Sequence, residues 1–365
     1  MSQTKAQLVS GTTAQDLTVD NINTTSINSG QLSSRNMVIN GAMMINQRYG
    51  DSAHTPTDGA YTMDRWQAWM STTSKFSVQR SSDSPDDFEK SLLVTSLSAA
   101  TVSADHEHGI TTKIEGQNMQ RTGLGTSSAK SVTLSFFVKC SLTGTFGGLV
   151  ANSALNMSYV FSYTVNSADT WERKTITIPP TTSGSFLTGI SSGLEIHFEF
   201  GVGSNRTAAV GWQTNTAVRG VNSQVNLIAT NAATWRMTGL QLEVGTTATD
   251  FEHRSVGEEL LLCQRYYISY VQQACSGYIE TSGANQAQLT HQLPVSMRAT
   301  PSATCTTATS IGVDRGGLYG INNTAGGIGW IYKNNLQVGW AMDVARDRWH
   351  TTWCRVQNVQ FSAEL

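Results

Sequence analysis

The chain has 365 residues, room for two ordinary domains, and only 14% of them are charged, against roughly 25% in an average soluble protein. Its net charge of −2 excludes the basic footprint of a nucleic-acid or anionic-membrane binder, and no apolar run approaches the roughly 18 residues of a membrane-spanning helix. Lys5 has no apolar stretch behind it, so no secretory signal is read, and the chain is expected to stay in a cytosol or to leave it by lysis.

Residues 1–35 are nearly all Ser, Thr, Asn, Gln, Gly and Asp, with isolated apolar residues at Leu17, Val19, Ile22, Ile27 and Leu32. Alone, such a segment cannot bury a core. It is either a disordered arm or an extended one whose sparse apolar residues are covered by other chains. From 36 to 254 the chain reads as many short strands. "SVTLSFFVKC" sets Val132, Leu134, Phe136, Val138 and Cys140 on one face, with Thr133, Ser135, Phe137 and Lys139 on the other. "LEIHFEFGV" sets Leu194, Ile196, Phe198, Phe200 and Val202 inward, with Glu195, His197 and Glu199 expected to face outward. "GITTKIEG", "MSYVFSYTV" and "RKTITI" are further strands, separated by turn-rich stretches such as "PPTTSGS" and "GSNRT". The pattern predicts an all-β fold, a jelly-roll β-sandwich, with a long connection around "SSDSPDDFEK".

In "TWRMTGLQLEVGTTATDFEHRSVGEELLLCQRYY", Leu240, Leu242 and Val244 alternate with Gln241 and Glu243, whereas Trp235 and Met237 hold the opposite parity. Gly239 lies where the phase changes, as a bulge or a close backbone approach requires. Ser255 and Glu258 fit a capping box, which predicts a short linker helix over 255–267 acting as a hinge. Residues 268–365 alternate again, predicting a smaller C-terminal β-sandwich. Cys140, Cys263, Cys275, Cys305 and Cys354 are odd in number and widely spaced, so buried free thiols are expected rather than a disulfide framework or a zinc site.

Several of these pieces together resemble bacteriophage tail-fibre and virion-appendage proteins of marine and cyanobacterial phages. They are "NMVINGAMMINQR", "DRW", "TTKIEGQN", "AKSVTLSFFVK", "QLEVGTTATDFEHR", "CQRYY" and, later, "VSMRATPS". The resemblance implies a jelly roll similar to carbohydrate-binding modules, a homotrimer, attachment to other virion proteins through residues 1–35, and a C-terminal tip engaging host surface glycan. The protein would then be part of the virion, made in the bacterial cytoplasm and released by lysis. One departure is the short arm: fully extended, it reaches on the order of 100 Å. A short fibre, a head fibre, or a neck or baseplate protein without receptor binding all remain open.

Among chemistry-bearing residues, "DHEH" at Asp105–His108 offers metal-ligand types but no ligand spacing, and "SSAK" at Ser127–Lys130 matches an acylating-enzyme motif in a turn rather than at a helix start. No metal, no cofactor and no catalytic residue is expected. A polysaccharide depolymerase is the enzymatic alternative, because Asp64, Glu115, Glu195, Glu199 and Glu243 supply carboxylates. Glu195 and Glu199 on one strand face lie about 13 Å apart, too far for either glycosidase geometry. For saccharide contact, Tyr319, Trp330, Tyr332 and Trp340 gather among Gly and Asn, ring faces being suited to sugar rings. The alternative is that Trp330 and Trp340 are core residues.

Overall fold

The computed structural model describes residues 34–280, 286–304, 307–314, 317–323, 332–334, 337–343 and 351–365, with side chains for 34–270, 292–302 and 360–365. The N-terminal arm expected over 1–35 lies outside them apart from its last two residues.

Alternating runs become strands wherever one parity finds a core. In chain order these are β1 (Tyr61–Met63), β2 (Trp66–Met70), β3 (Phe76–Ser81), β4 (Ser91–Ser96), β5 (Glu107–Glu115), β6 (Val132–Cys140) and β7 (Gly144–Ala151). There follow β8 (Ser158–Val165), β9 (Glu172–Ile178), β10 (Ser192–Val202), β11 (Thr207–Ala208), β12 (Gly211–Gln213), β13 (Gly220–Val221) and β14 (Thr234–Val244). A seven-stranded antiparallel sheet, in the order β1, β2, β5, β10, β7, β8, β12, packs on a five-stranded one, in the order β3, β4, β14, β6, β9. This is the jelly-roll sandwich that the alternation predicts.

Between the sheets lie the inward residues of β6 and β10, all fully buried from Val132 to Cys140 and from Leu194 to Phe200 on the predicted parity. Phe136 stands edge-on to Phe198 at 5.1 Å, Phe200 meets Trp235 at 5.0 Å, and the Trp235 indole donates to the Tyr163 hydroxyl at 3.0 Å. Each such ring contributes about 1.5–3 kcal/mol through the apolar area it hides.

The opposite parity departs from expectation. Glu195, His197 and Glu199 are 7%, 1% and 0% exposed rather than solvated. The cause is the chain on either side of the edge strand β12, Gly203–Ala208 and Ala217–Val225, which folds back over the outer face of the seven-stranded sheet. Val218 and Val221 pack there on Val160, and Arg206 and Arg219 reach Glu107 at 3.2 and 2.8 Å. On the other sheet Thr133 and Ser135 are likewise buried, with the Thr133 hydroxyl donating to the Gly245 carbonyl at 2.8 Å.

Helix α1 (Gly116–Met119) is a single turn, and α2 (Val256–Gln264) begins as its cap predicts, the Ser255 Oγ accepting the Glu258 amide at 3.2 Å. Beyond it come β15 (Tyr267–Glu280), β16 (Gln286–Gln292), β17 (Ser302–Thr304), β18 (Thr307–Asp314), β19 (Gly317–Asn323), β20 (Tyr332–Asn334), β21 (Gln337–Asp343) and β22 (Thr351–Ser362). They pair antiparallel in the order β19, β18, β22, β15, β16, β21, β20, with β17 also on β22. Cys140 and Cys263 are buried free thiols, as expected. In the β15·β22 ladder Cys275 stands opposite Cys354, a pairing that spacing along the chain does not reveal.

The end of α2 is tied to the jelly roll. Arg265 and the Tyr266 hydroxyl both donate to the Glu115 carboxylate at 2.7 Å, and the Arg65 guanidinium stacks 3.6 Å above the Tyr266 ring. Glu364 lies between Arg65 and Arg48, whose side chains are 1% and 10% exposed. Arg298 adds donors to the Ala363, Glu364 and Ile190 carbonyls at 2.8, 2.7 and 3.1 Å. Replacing Glu364 by Gln leaves two buried guanidiniums without their anion, so we expect a loss of about 3–5 kcal/mol. A lowered urea midpoint of the full chain is the readout; an unchanged midpoint contradicts the assignment.

Candidate functional site: an aromatic pocket above a glycine bulge

The β14 strand breaks its ladder between Thr238 and Gln241, and Gly239 takes φ +65° at the break. A Cβ there would stand 2.7 Å from Cζ of Phe88 and 3.1 Å from Cδ2 of Phe137. Glycine is required both for the left-handed backbone and for letting two rings rest on the sheet. Phe88 comes from the long connection between β3 and β4, Phe137 from the outward parity of β6, and Phe251 and His253 from the link that leaves β14.

Phe88 is the hub of the cluster. Its centroid lies 5.4 Å from Phe137, 5.1 Å from Phe251 and 5.1 Å from His253, and Phe251 and His253 are 4.9 Å apart. His253 is exposed and the three phenylalanines are half-buried. Phe88, Phe251 and His253 wall a pocket of about 160 Å³ that also touches Met44, Asp87, Glu89 and Arg254. Arg254 is engaged with the Asn36 and Val38 carbonyls, whereas Asp87 and Glu89 are exposed at the rim. Apolar ring faces below and carboxylates above suit a ligand that is apolar on one side and rich in hydroxyl donors at its edge. A larger groove of about 560 Å³ runs past Gly123, Gly125 and Gly184, but the Gly125 and Thr126 amides there bond to carbonyls of the fold itself.

The carboxylates singled out in the sequence are mostly engaged. Asp64 accepts from the Gln47 amide at 2.7 Å, Glu115 from Arg265 and Tyr266, and Glu243 from Thr249 at 2.8 Å. Glu195 accepts from His197 and Ser192, each at 3.2 Å. Burial works to raise its pKa, but the hydrogen bond and charge of His197, with Lys113, bring it below the ordinary value. Glu199 has no partner for either oxygen. In "DHEH", Asp105 holds Asn205, Glu107 holds two arginines, and His108 meets Thr72 at 2.7 Å while burial drives its pKa down to about 4. No cluster of metal-ligand type occurs among the described residues. Ser127 and Lys130 lie in the polar turn before β6.

Of the predicted contact residues, Tyr332 and Trp340 fall on the paired strands β20 and β21, and Tyr319 on β19 at the other end of the strand order. Tyr332 is opposite Gly339, so it and Trp340 have different parity in that ladder. Trp330 lies outside the described residues. The Phe88 cluster was not singled out in the sequence, although Gly239 and the "DFEHR" segment marked its floor and one wall.

No protein-family profile and no curated protein sequence matches the chain. Among solved structures, it is similar to the family 11 carbohydrate-binding module of the cellulosomal cellulase Lic26A-Cel5E of Clostridium thermocellum. The identity is 14%, over 55% of this chain and 98% of that one, with a TM-score of 0.29. It is also similar to a CBM61 in complex with beta-1,4-galactotriose, at 9% identity over 58% and 100% of the two chains, TM-score 0.29. A third is the enzymatically active domain of tailspike protein 4 of bacteriophage CBA120, at 13% identity over 55% of this chain and 22% of that one, TM-score 0.29. Likenesses this distant carry no functional argument.

Substituting Gly239 by Ala strains the backbone and pushes Phe88 off the sheet. The expected cost is about 1–3 kcal/mol in chemical denaturation. A neutral substitution contradicts the close approach.

Proposed function

We propose that the protein is a non-enzymatic structural part of a phage virion that binds saccharide. The observation carrying this reading is the partly exposed Phe88, Phe251 and His253 cluster beneath the Asp87 and Glu89 carboxylates. The sequence resemblance to virion appendages supports it, as does the neutral, hydroxyl-rich composition. In this reading residues 1–35 attach the chain to the particle, three copies assemble, and host surface glycan is the target. Tyr319, Trp330, Tyr332 and Trp340 supply a further contact on the C-terminal sheet. Each stacked ring contributes on the order of 1 kcal/mol, so several sites per assembly are needed for a lasting hold.

Bacterial envelope polysaccharides passed over the immobilised full chain, then recovered and sized, separate the alternatives. Retention with unchanged length supports a binding module; shortening makes the protein a depolymerase, and no retention leaves a purely structural part. Phe88→Ala is expected to weaken retention about five- to tenfold while the chain stays folded, since the lost ring is only half-buried. Trp340→Ala and Tyr332→Ala, tested alongside, locate the contact on the C-terminal sheet if they alone weaken it. Sedimentation at micromolar concentration tests the trimer, and a stable monomer rejects it.

A further inference from the structure

Glu199 is fully buried on the outer face of the seven-stranded sheet, its carboxyl laid over Gly109, where a Cβ would come within 2.8 Å. The groups facing it come from every element packed there. Its own strand brings Glu195 and His197, bonded to each other at 3.2 Å. Strand β5 brings Glu107, Thr111 and Lys113, His108 lying on the opposite parity across from Met70; β2 brings Gln67 and Trp69; β7 brings only Gly147, Leu149 and Ala151. From above come Arg206 and Arg219 on the returning stretches 203–208 and 217–225. Both arginines are engaged with Glu107, which also accepts from the Trp69 indole at 2.6 Å. Lys113 reaches the Leu365 carbonyl at 3.1 Å. No cation is left to Glu199, and burial first, then the Glu107 charge, hold its carboxyl well above the ordinary range against the pull of the two arginines.

We propose that the stretches 203–208 and 217–225, on either side of the edge strand β12, form a pH-sensitive strap, closed over the sheet while Glu199 keeps its proton and released when Glu199 ionises. The close fit is visible at Gly147, where a Cβ would meet Gln224 Oε1 at 2.4 Å and the Val221 amide nitrogen at 2.9 Å. Ionisation places two carboxylates under the strap and divides between them the guanidiniums that hold it to Glu107. The Glu199 proton's contribution is complete below the ordinary carboxylate range and is lost as pH climbs toward the raised value. Release uncovers a row already short of partners: Gln67, Thr111 and His197 are register neighbours, and Gln67 Oε1, Thr111 Oγ and His197 Nδ1 have none. The strap stands independently of the saccharide reading.

Hydrogen exchange of the full chain, expressed as protection factors across pH, tests the strap. The reporters are the amides of Gly203, bonded to the His106 carbonyl at 2.9 Å, and of Val225, bonded to the Thr145 carbonyl at 2.7 Å. In the wild type their protection should fall, by up to about tenfold per unit, as pH climbs from the ordinary carboxylate range toward the raised Glu199 value, and level off above it. In Glu199→Gln, which keeps shape and removes the charge, it should stay flat, as should Leu134 on β6 in both proteins. Flat strap protection in the wild type, or the same slope in Glu199→Gln, overturns the proposal. If that variant does not fold, the carboxyl carbon shift of Glu199 in the wild type decides. Titration in the ordinary glutamate range overturns the strap, and titration at the upper end of the pH range over which protection falls supports it.

Discussion

A charge taken out of water has to meet its opposite inside the fold, and that constraint sets how the larger pieces of this protein are joined. Glu364 meets Arg65 across 299 residues, Glu115 meets Arg265 across 150, and Glu107 meets Arg206 across 99. The first ties the chain's last described residues to the jelly roll, the second ties the helix end to the same sheet, and the third draws a crossing segment over it. Such pairs add little net stability, because desolvation offsets most of their attraction. A wrong arrangement, however, strands a buried ion, so the pairs decide which arrangement survives while the aromatic core between the sheets supplies most of the stability.

The two outer faces of the sandwich end up chemically different. On the five-stranded side the chain leaves rings partly open above Gly239, with carboxylates at the rim. On the seven-stranded side it covers a polar row in which Thr111, Glu195, His197 and Glu199 are buried. A sandwich with both outer faces solvated would need neither the crossing segment nor the buried arginines. The saccharide reading and the strap reading therefore address separate surfaces.

How far this was legible in the sequence depends on the range of the interaction. Period-two alternation identifies Val132 to Cys140 and Leu194 to Phe200 as core, because a strand's inward parity depends only on its near neighbours. The Ser255 cap and the Gly239 irregularity are local too, and both appear where the residues predict them. Glu195, His197 and Glu199 look solvent-facing because a polar parity usually is; only the path of a segment some ten residues further on reveals that they are covered. The Phe88 cluster is hidden for the same reason, since Phe88, Phe137 and Phe251 come from three segments that alternation treats as unrelated.

The way the chain enters the sandwich bears on how it would carry mechanical load. Met37 donates to the Leu242 carbonyl and Leu240 to the Gly41 carbonyl, so the entering segment runs antiparallel to the end of β14. A pull between the segment before Ser34 and the chain beyond Val244 therefore acts at the same end of that pair, a peeling geometry in which bonds break one after another. The reinforcement is concentrated at that end. Glu252 accepts the Asn36 amide, Arg254 donates to the Asn36 and Val38 carbonyls, and Arg121 grips the Ser34 and Arg35 carbonyls. Glu259, from within the helix, takes the Asn40 amide. Tension reaching the sandwich is thus met first by a cluster of charged clamps, and the threshold for yielding is set by those few side chains rather than by the hydrophobic interior behind them.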